Sequence, residues 1–221
     1  MRSIKALCTV LLMIMASSIV HAQFNVKIGY NPILGGFNGV NALQDAYISN
    51  DGDVQSGFND LSFMHGIQLG GRYRIGKLGV ELGWESLSSN REALSLNPNN
   101  EVFTIREYDH DLTTWIFALD QYLRPVGFGA ALTRTNYSVG REIGNNSIPI
   151  LAESQWGLRL QLNLVIQESS RVSFLIRPYY QFYLNDFDIE PLAEDLNNTA
   201  ASTESLTYFG LSLVFYNGRR Y

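Results

Sequence analysis

The chain has 221 residues, 16 Lys and Arg against 21 Asp and Glu, a net charge of −5 and one cysteine, Cys8. One cysteine excludes internal disulfides and a thiolate metal centre. The acidic balance excludes a basic nucleic-acid surface, and 12 Tyr, 12 Phe and 19 Gly make the chain rich in aromatic and small residues.

Residues 1–22 read as a secretory signal peptide. Arg2 and Lys5 form the basic start, Ala6 to Ala16 the apolar core, and Val20-His21-Ala22 an A-x-A-like cleavage site. The core is too short to cross a bilayer. Cleavage after Ala22 predicts a single mature domain, residues 23–221, that begins at Gln23 and contains no cysteine. With no cysteine at the cut, lipid attachment there is excluded. Loss of Arg2 and Lys5 leaves 14 basic against 21 acidic residues, about −7.

After Gln23 the dominant pattern is a period of two in segments of about ten residues, the length that a tilted membrane strand requires. Phe24, Val26, Ile28 and Tyr30 alternate with Asn25, Lys27, Gly29 and Asn31. A second segment sets Phe63, Ile67, Leu69, Tyr73 and Ile75 against Gln68, Gly70, Arg72 and Arg74. After a turn at Gly76-Lys77, Leu78, Val80, Leu82 and Trp84 oppose Gly79, Glu81, Gly83 and Glu85. The fourth segment, about Asp111 to Tyr122, contains the continuous apolar run Trp115 to Leu119. Beyond the turn Arg124-Pro125, Val126, Phe128, Ala130 and Leu132 alternate with Gly127, Gly129, Ala131 and Thr133.

The sixth segment runs from Trp156 to Ile166, with Gly157, Arg159, Gln161 and Asn163 on its polar face. Glu168-Ser169-Ser170 turns the chain into a seventh. There Val172, Phe174, Ile176, Pro178, Tyr180 and Phe182 oppose Ser173, Arg177, Tyr179, Gln181 and Tyr183. In the eighth, Phe209, Leu211, Leu213 and Phe215 alternate with Gly210, Ser212 and Tyr216.

Connections after the second, fourth and sixth segments are short. The others are long and polar: about residues 35–60, 88–110, 138–153 and 185–205. Strict alternation of short and long connections predicts an all-β fold, an eight-stranded antiparallel up-and-down transmembrane β-barrel. Within the first long connection, Val40, Leu43, Ala46 and Tyr47 at helical spacing predict a short helix over residues 41–48 that caps the mouth. The small polar face suits a narrow lumen, and the bulky face suits lipid. Tyr30, Tyr73, Trp84, Tyr122, Trp156 and Tyr180 are candidates for interfacial aromatic girdles.

This layout resembles the small eight-stranded outer-membrane barrels of Gram-negative bacteria, of the OmpA transmembrane-domain and OmpX type. The resemblance spans residues 24–216 and includes the last strand, Gly210-Leu211-Ser212-Leu213-Val214-Phe215-Tyr216, which is similar to the family's alternating, aromatic-ended assembly signal. The chain departs from it by running on through residues 217–221. The Ala22-Gln23-Phe24 junction and the Gly- and Tyr-rich strands resemble Bacteroidetes versions of the family. The resemblance implies outer-membrane location after export, lipid as the surrounding partner, other envelope proteins as further partners, and no cofactor.

The lumen is expected to hold a structural polar network in which Lys27, Arg72, Arg74, Arg159 and Arg177 meet Glu81 and Glu85. Charges in so narrow an interior must be paired or hydrated. Of the three histidines, His65 and His110 lie beyond the signal. His65 is expected at the outer rim. Tyr108-Asp109-His110-Asp111 offers a histidine beside carboxylates, the ingredients of general-base hydrolysis. Asn50-Asp51-Gly52-Asp53 has oxygen ligands for Ca²⁺ but reads better as an Asx turn. The expected function is therefore non-enzymatic: a structural, adhesive or complex-forming component acting through its loops or lipid-facing wall. The alternatives are a membrane hydrolase using Asp109, His110 and Asp111, and a soluble lipocalin-like barrel with its Leu and Phe faces inward.

Overall fold

Alternating bulky and small residues can be satisfied by a sheet closed on itself, because closure removes both edges and gives each face one environment. A computed structural model describes residues 23–50, 54–56, 58–96, 102–123, 125–143, 146–168 and 172–217. The signal segment 1–22 and Asp51 to Asp53 lie outside the described residues. In it, eight long strands close into a ring: β1 (Gln23–Gly36), β3 (Phe63–Ile75), β4 (Leu78–Leu96), β5 (Val102–Tyr122), β6 (Val126–Ile143), β7 (Asn146–Glu168), β8 (Val172–Tyr183) and β11 (Thr207–Asn217). Every neighbouring pair is antiparallel, and β1 pairs with β11 to complete the closure. The fold is an eight-stranded antiparallel up-and-down transmembrane β-barrel.

At one end the connections are tight. Gly76, at φ +58° in the β3–β4 turn, occupies the left-handed region that glycine enters at little cost. The opposite end is elaborated by α1 (Asn38–Asn50), β2 (Val54–Ser56), β9 (Phe187–Asp188), α2 (Glu190–Asp195) and β10 (Thr203–Glu204). The expected helix over 41–48 is present and longer. Two expected long loops, residues 88–110 and 138–153, are instead strand: β4 with β5, and β6 with β7, continue pairing as far as Leu96↔Val102 and Ile143↔Asn146. Polar composition there marks strands that have left the apolar layer, since backbone pairing continues whatever the side chains face.

The outward face is a belt of large apolar side chains, including Phe24, Leu82, Phe117, Phe128, Leu160 and Phe215, with Leu160 55% exposed. This excludes the inward-facing arrangement of a lipocalin. The run Trp115 to Leu119 obeys the same alternation: Trp115, Phe117 and Leu119 face out, Ile116 and Ala118 in. At the loop end the outward residues become Ser86, Thr113, Arg134 and Ser154. Tyr30, Trp84 and Trp156 stand outward near that boundary, and Tyr180 stands outward within the belt beside Leu160. Tyr122 does not, because its parity turns it into the lumen, where it is fully buried.

Candidate functional site

The lumen is filled by side chains in successive layers. Nearest the tight turns, Arg72 donates to the Tyr122 hydroxyl at 3.1 Å and to Asn25 Oδ1 at 3.0 Å. Its guanidinium also lies 3.8 Å from the Tyr216 ring centroid. Arg74 donates from Nε to the Gly76 carbonyl at 2.8 Å, satisfying the turn. Among the described residues neither arginine makes an ion pair with Glu81 or Glu85, and Arg72 joins the other charges through Tyr122, whose hydroxyl donates to Asp120 at 3.3 Å. Arg72 is the cross-strand neighbour of Glu81, yet its guanidinium is taken up by Tyr122, Asn25 and the Tyr216 ring, and Arg74 is held by the Gly76 carbonyl.

One layer up, Glu81 on β4 is shared by two cations, Arg177 from β8 across the barrel and Lys27 from β1 two strands away. Arg177 holds it with two nitrogens, at 2.9 and 3.1 Å, and Lys27 pairs with Oε1. Arg177 also donates to Asn163 Oδ1 at 2.6 Å and to the Tyr216 hydroxyl at 2.8 Å. Asp120, which is not among the expected members, belongs to this layer. It accepts from Gln161 and Asn163 at 2.8 and 2.9 Å and stands 3.6 Å from Arg177. Alternation from Ile116 and Ala118 places it on the inward face, but the apolar run obscures the period.

Glu85 forms the next layer. Arg159 grips it at 2.9 and 3.1 Å and donates from Nε to Gln181 at 2.9 Å. Asn31 also donates to Glu85, and Ser212 to Asn31. The Arg159 guanidinium lies 4.0 Å from the Tyr179 ring centroid. Two glycines make this packing possible. A Cβ on Gly210 would stand 2.1 Å from the Tyr179 ring, and one on Gly129 1.9 Å from Asp120 Oδ1. Above, Thr114 and Thr135 hydroxyls are 2.9 Å apart, and Tyr183 donates to Thr135 at 2.9 Å.

Over these layers the mouth is closed by an apolar plug. Phe37, Val40 and Leu43 of the α1 region, Ile189, Leu192 and Leu196 around α2, and wall residues such as Leu112, Tyr137 and Leu151 form one buried cluster. Three polar contacts tie it down. Glu204 Oε2 accepts from the Val40 amide at 2.9 Å in the first turn of α1, Asn198 donates to the Leu43 carbonyl at 2.7 Å, and Asp195 pairs with Arg106 at 3.0 Å and Arg141 at 2.6 Å. Burial pushes the Glu204 carboxyl up to about 7, against the pull of the α1 amides.

His110 lies under this plug, fully buried, its Nδ1 2.8 Å from the Tyr137 hydroxyl and its Nε2 3.5 Å from Gln44 Nε2. Burial lowers it to about 3, which holds it neutral. Asp109 and Asp111 have the opposite parity and face outward, Asp109 accepting from Asn90 at 2.8 Å. The three residues of the hydrolase reading are therefore split across the wall, and strand alternation is the reason. His65 is exposed at the outer rim between the rings of Tyr30 and Phe63. Among the described residues no group of His, Cys, Asp and Glu is arranged to hold a metal ion.

Closed strands, an apolar outer belt and a filled lumen define an outer-membrane type of barrel. The chain is similar in fold to Ail, the attachment invasion locus protein of Yersinia pestis solved with the heparin analogue sucrose octasulfate. The TM-score is 0.50 and identity 12%, covering 89% of this chain and 97% of that one. Neisserial surface protein A (TM-score 0.47, 9% identity, 89% and 98% covered) and a major outer membrane protein of Thermus thermophilus (0.47, 15%, 89% and 99%) are further similar structures. No family model matches the chain, and no curated protein matches it.

Proposed function

We propose that this chain is a non-enzymatic outer-membrane protein, exported through a cleaved signal peptide. It serves as a structural, adhesive or complex-forming component through its loop end and its lipid-facing wall. The observation that carries the reading is the pairing of an apolar outer belt with a lumen that holds Lys27, Arg159, Arg177, Glu81, Glu85 and Asp120 in fixed contacts. Such a lumen is a structural plug, because conduction needs mobile water where these groups hold one another. The loop end, extracellular by the length of its connections, presents a rigid wall made by the extensions of β4 to β7.

That wall carries Glu92, Glu107, Asp109 and Asp111 on its outward face. Ail is an attachment protein by its name and was solved with a sulfated polyanion. The acidic face here suits a cationic or neutral polar partner instead. Fractionation of the native membrane tests the proposal: detergent-dependent extraction, heat-modifiable gel mobility and co-purification of an envelope partner are expected. Recovery in the soluble periplasmic fraction contradicts it.

A further inference from the structure

On the outer wall the ladder between β7 and β8 is interrupted. Paired residues run to Gln161↔Tyr179 and resume at Leu164↔Ile176, with Pro178 between them. Proline has no amide to donate and presents a short ring where its neighbours present long side chains. The result is an open, almost wholly apolar groove of about 420 Å³, lined by Phe128, Leu160, Leu162, Pro178, Tyr180 and Phe209. Ala130, the outward partner of Leu160, places only a small side chain beside this lining residue.

The groove lies in line with a cation. Along β6 the outward residues above Phe128 are Ala130, Leu132 and then Arg134, which faces Trp156 across the ladder. The Arg134 guanidinium stands 5.2 Å from the Trp156 ring centroid. Among the described residues no carboxylate pairs with it. Arg134 is exposed where the apolar belt gives way to polar residues. Six residues of strand separate it from Phe128, about 20 Å at the usual rise. A cation at the rim and, about 20 Å along the same strand, an apolar groove, with only Ala130 and Leu132 outward between them, match one kind of molecule, an amphiphile with an anionic headgroup.

We propose that this strip of wall is a binding site for one membrane lipid, its acyl chain in the groove at Pro178 and its anionic headgroup on Arg134. The inference rests on the outer-membrane reading, since only a bilayer supplies such a ligand. It gives the lipid-facing wall a specific ligand in place of bulk solvent. Arg134 sets headgroup preference, with Trp156 holding its guanidinium at the rim. The groove sets chain retention.

Native mass spectrometry of the mature barrel tests this after release from micelles containing equal phosphatidylglycerol and phosphatidylcholine with matched chains. One retained lipid is expected, with phosphatidylglycerol favoured about fivefold, the preference of one Lys or Arg near an anionic lipid surface. Arg134→Gln is exposed and leaves the ladder intact, so the variant folds; it is expected to keep the lipid and lose the preference. Ala130→Phe lays a ring beside Leu160 and is expected to lower retention of both lipids several-fold. A preference unchanged in Arg134→Gln, wild-type retention no greater than that of Ala130→Phe, or a lipid-free complex of two chains overturns the site while leaving a folded, heat-modifiable barrel. A chain that stays soluble without detergent contradicts the membrane reading itself and the site with it.

Discussion

Glu81 shows how single residues hold this lumen. Burying one carboxylate costs several kcal/mol, and an ion pair offsets that cost only when geometry and further hydrogen bonds are good. Glu81 meets both conditions with Arg177, Lys27 and the Tyr216 hydroxyl. Glu81→Gln keeps the shape but leaves two buried cations without their shared anion. The expected loss is about 3–5 kcal/mol, the cost of breaking a buried pair from one side, measured by urea unfolding in bilayers with heat-modifiable mobility as the readout. A loss under about 1 kcal/mol, the range of surface pairs, contradicts the buried contacts. Lys27, Glu81, Glu85, Arg159 and Arg177 are legible as lumen residues from period two alone. Partner choice is not: Arg72 is the cross-strand neighbour of Glu81, but the carboxylate is taken by Arg177 from a non-adjacent strand, while Arg72 lies among rings and amides.

At the scale of elements, the least expected feature is the share of the plug that the β8–β11 connection supplies beside α1. The helix is readable from Val40, Leu43 and Tyr47, but α2 is not, since six residues are too few to display a helical period. Nor do polar residues 88–110 reveal that β4 and β5 continue, because exposed strand and loop share a composition. Asp195 at the end of α2 is the plug's main ionic tie, holding Arg106 and Arg141. Asp195→Asn removes a charge partner from two half-buried arginines. Faster proteolysis within residues 184–206 is expected, with the barrel still migrating as folded; unchanged cleavage contradicts the tie.

The plug also has a pH dependence with two opposed parts. Glu204 is raised to about 7 by burial, so its contribution is complete below about 4.5, its ordinary value, and is lost as pH rises through 7. His110 is lowered to about 3 by burial, so its contribution is complete above about 6.5 and is lost as pH falls from there toward 3. The two nearly cancel in the wild type between these limits. Hydrogen exchange of the α1 amides separates them. Glu204→Gln is expected to leave protection that falls on acidification below about 6.5, and His110→Gln protection that falls on alkalinisation above about 4.5. Identical profiles in wild type and both variants contradict the assignment.

For the whole molecule, the decisive property is which solvent meets each face. Exposed Leu, Phe and Ile are individually ordinary on soluble proteins, but a continuous belt around a closed ring is not. Leu160→Arg in mid-belt is expected to cost about 2–4 kcal/mol of folding free energy in a bilayer, whereas Ser154→Arg above the belt costs about 0–1. Equal small costs at both positions contradict a lipid-facing wall. Fold class is the most legible property of the sequence, because strand period and connection length both report on it. The lipid-binding strip is invisible there, as it depends on Pro178 and Arg134 lying in line across three strands.

Site-directed spin labelling tests the central claim most directly, since the mature chain would contain no other cysteine. Labels at Leu82 and Leu160 of the bilayer-reconstituted barrel should collide with dissolved oxygen and be shielded from a water-soluble nickel chelate, while a label at Ser154 should show the reverse. Chelate access at Leu82 and Leu160 equal to that at Ser154 would contradict a barrel whose outer belt is solvated by lipid.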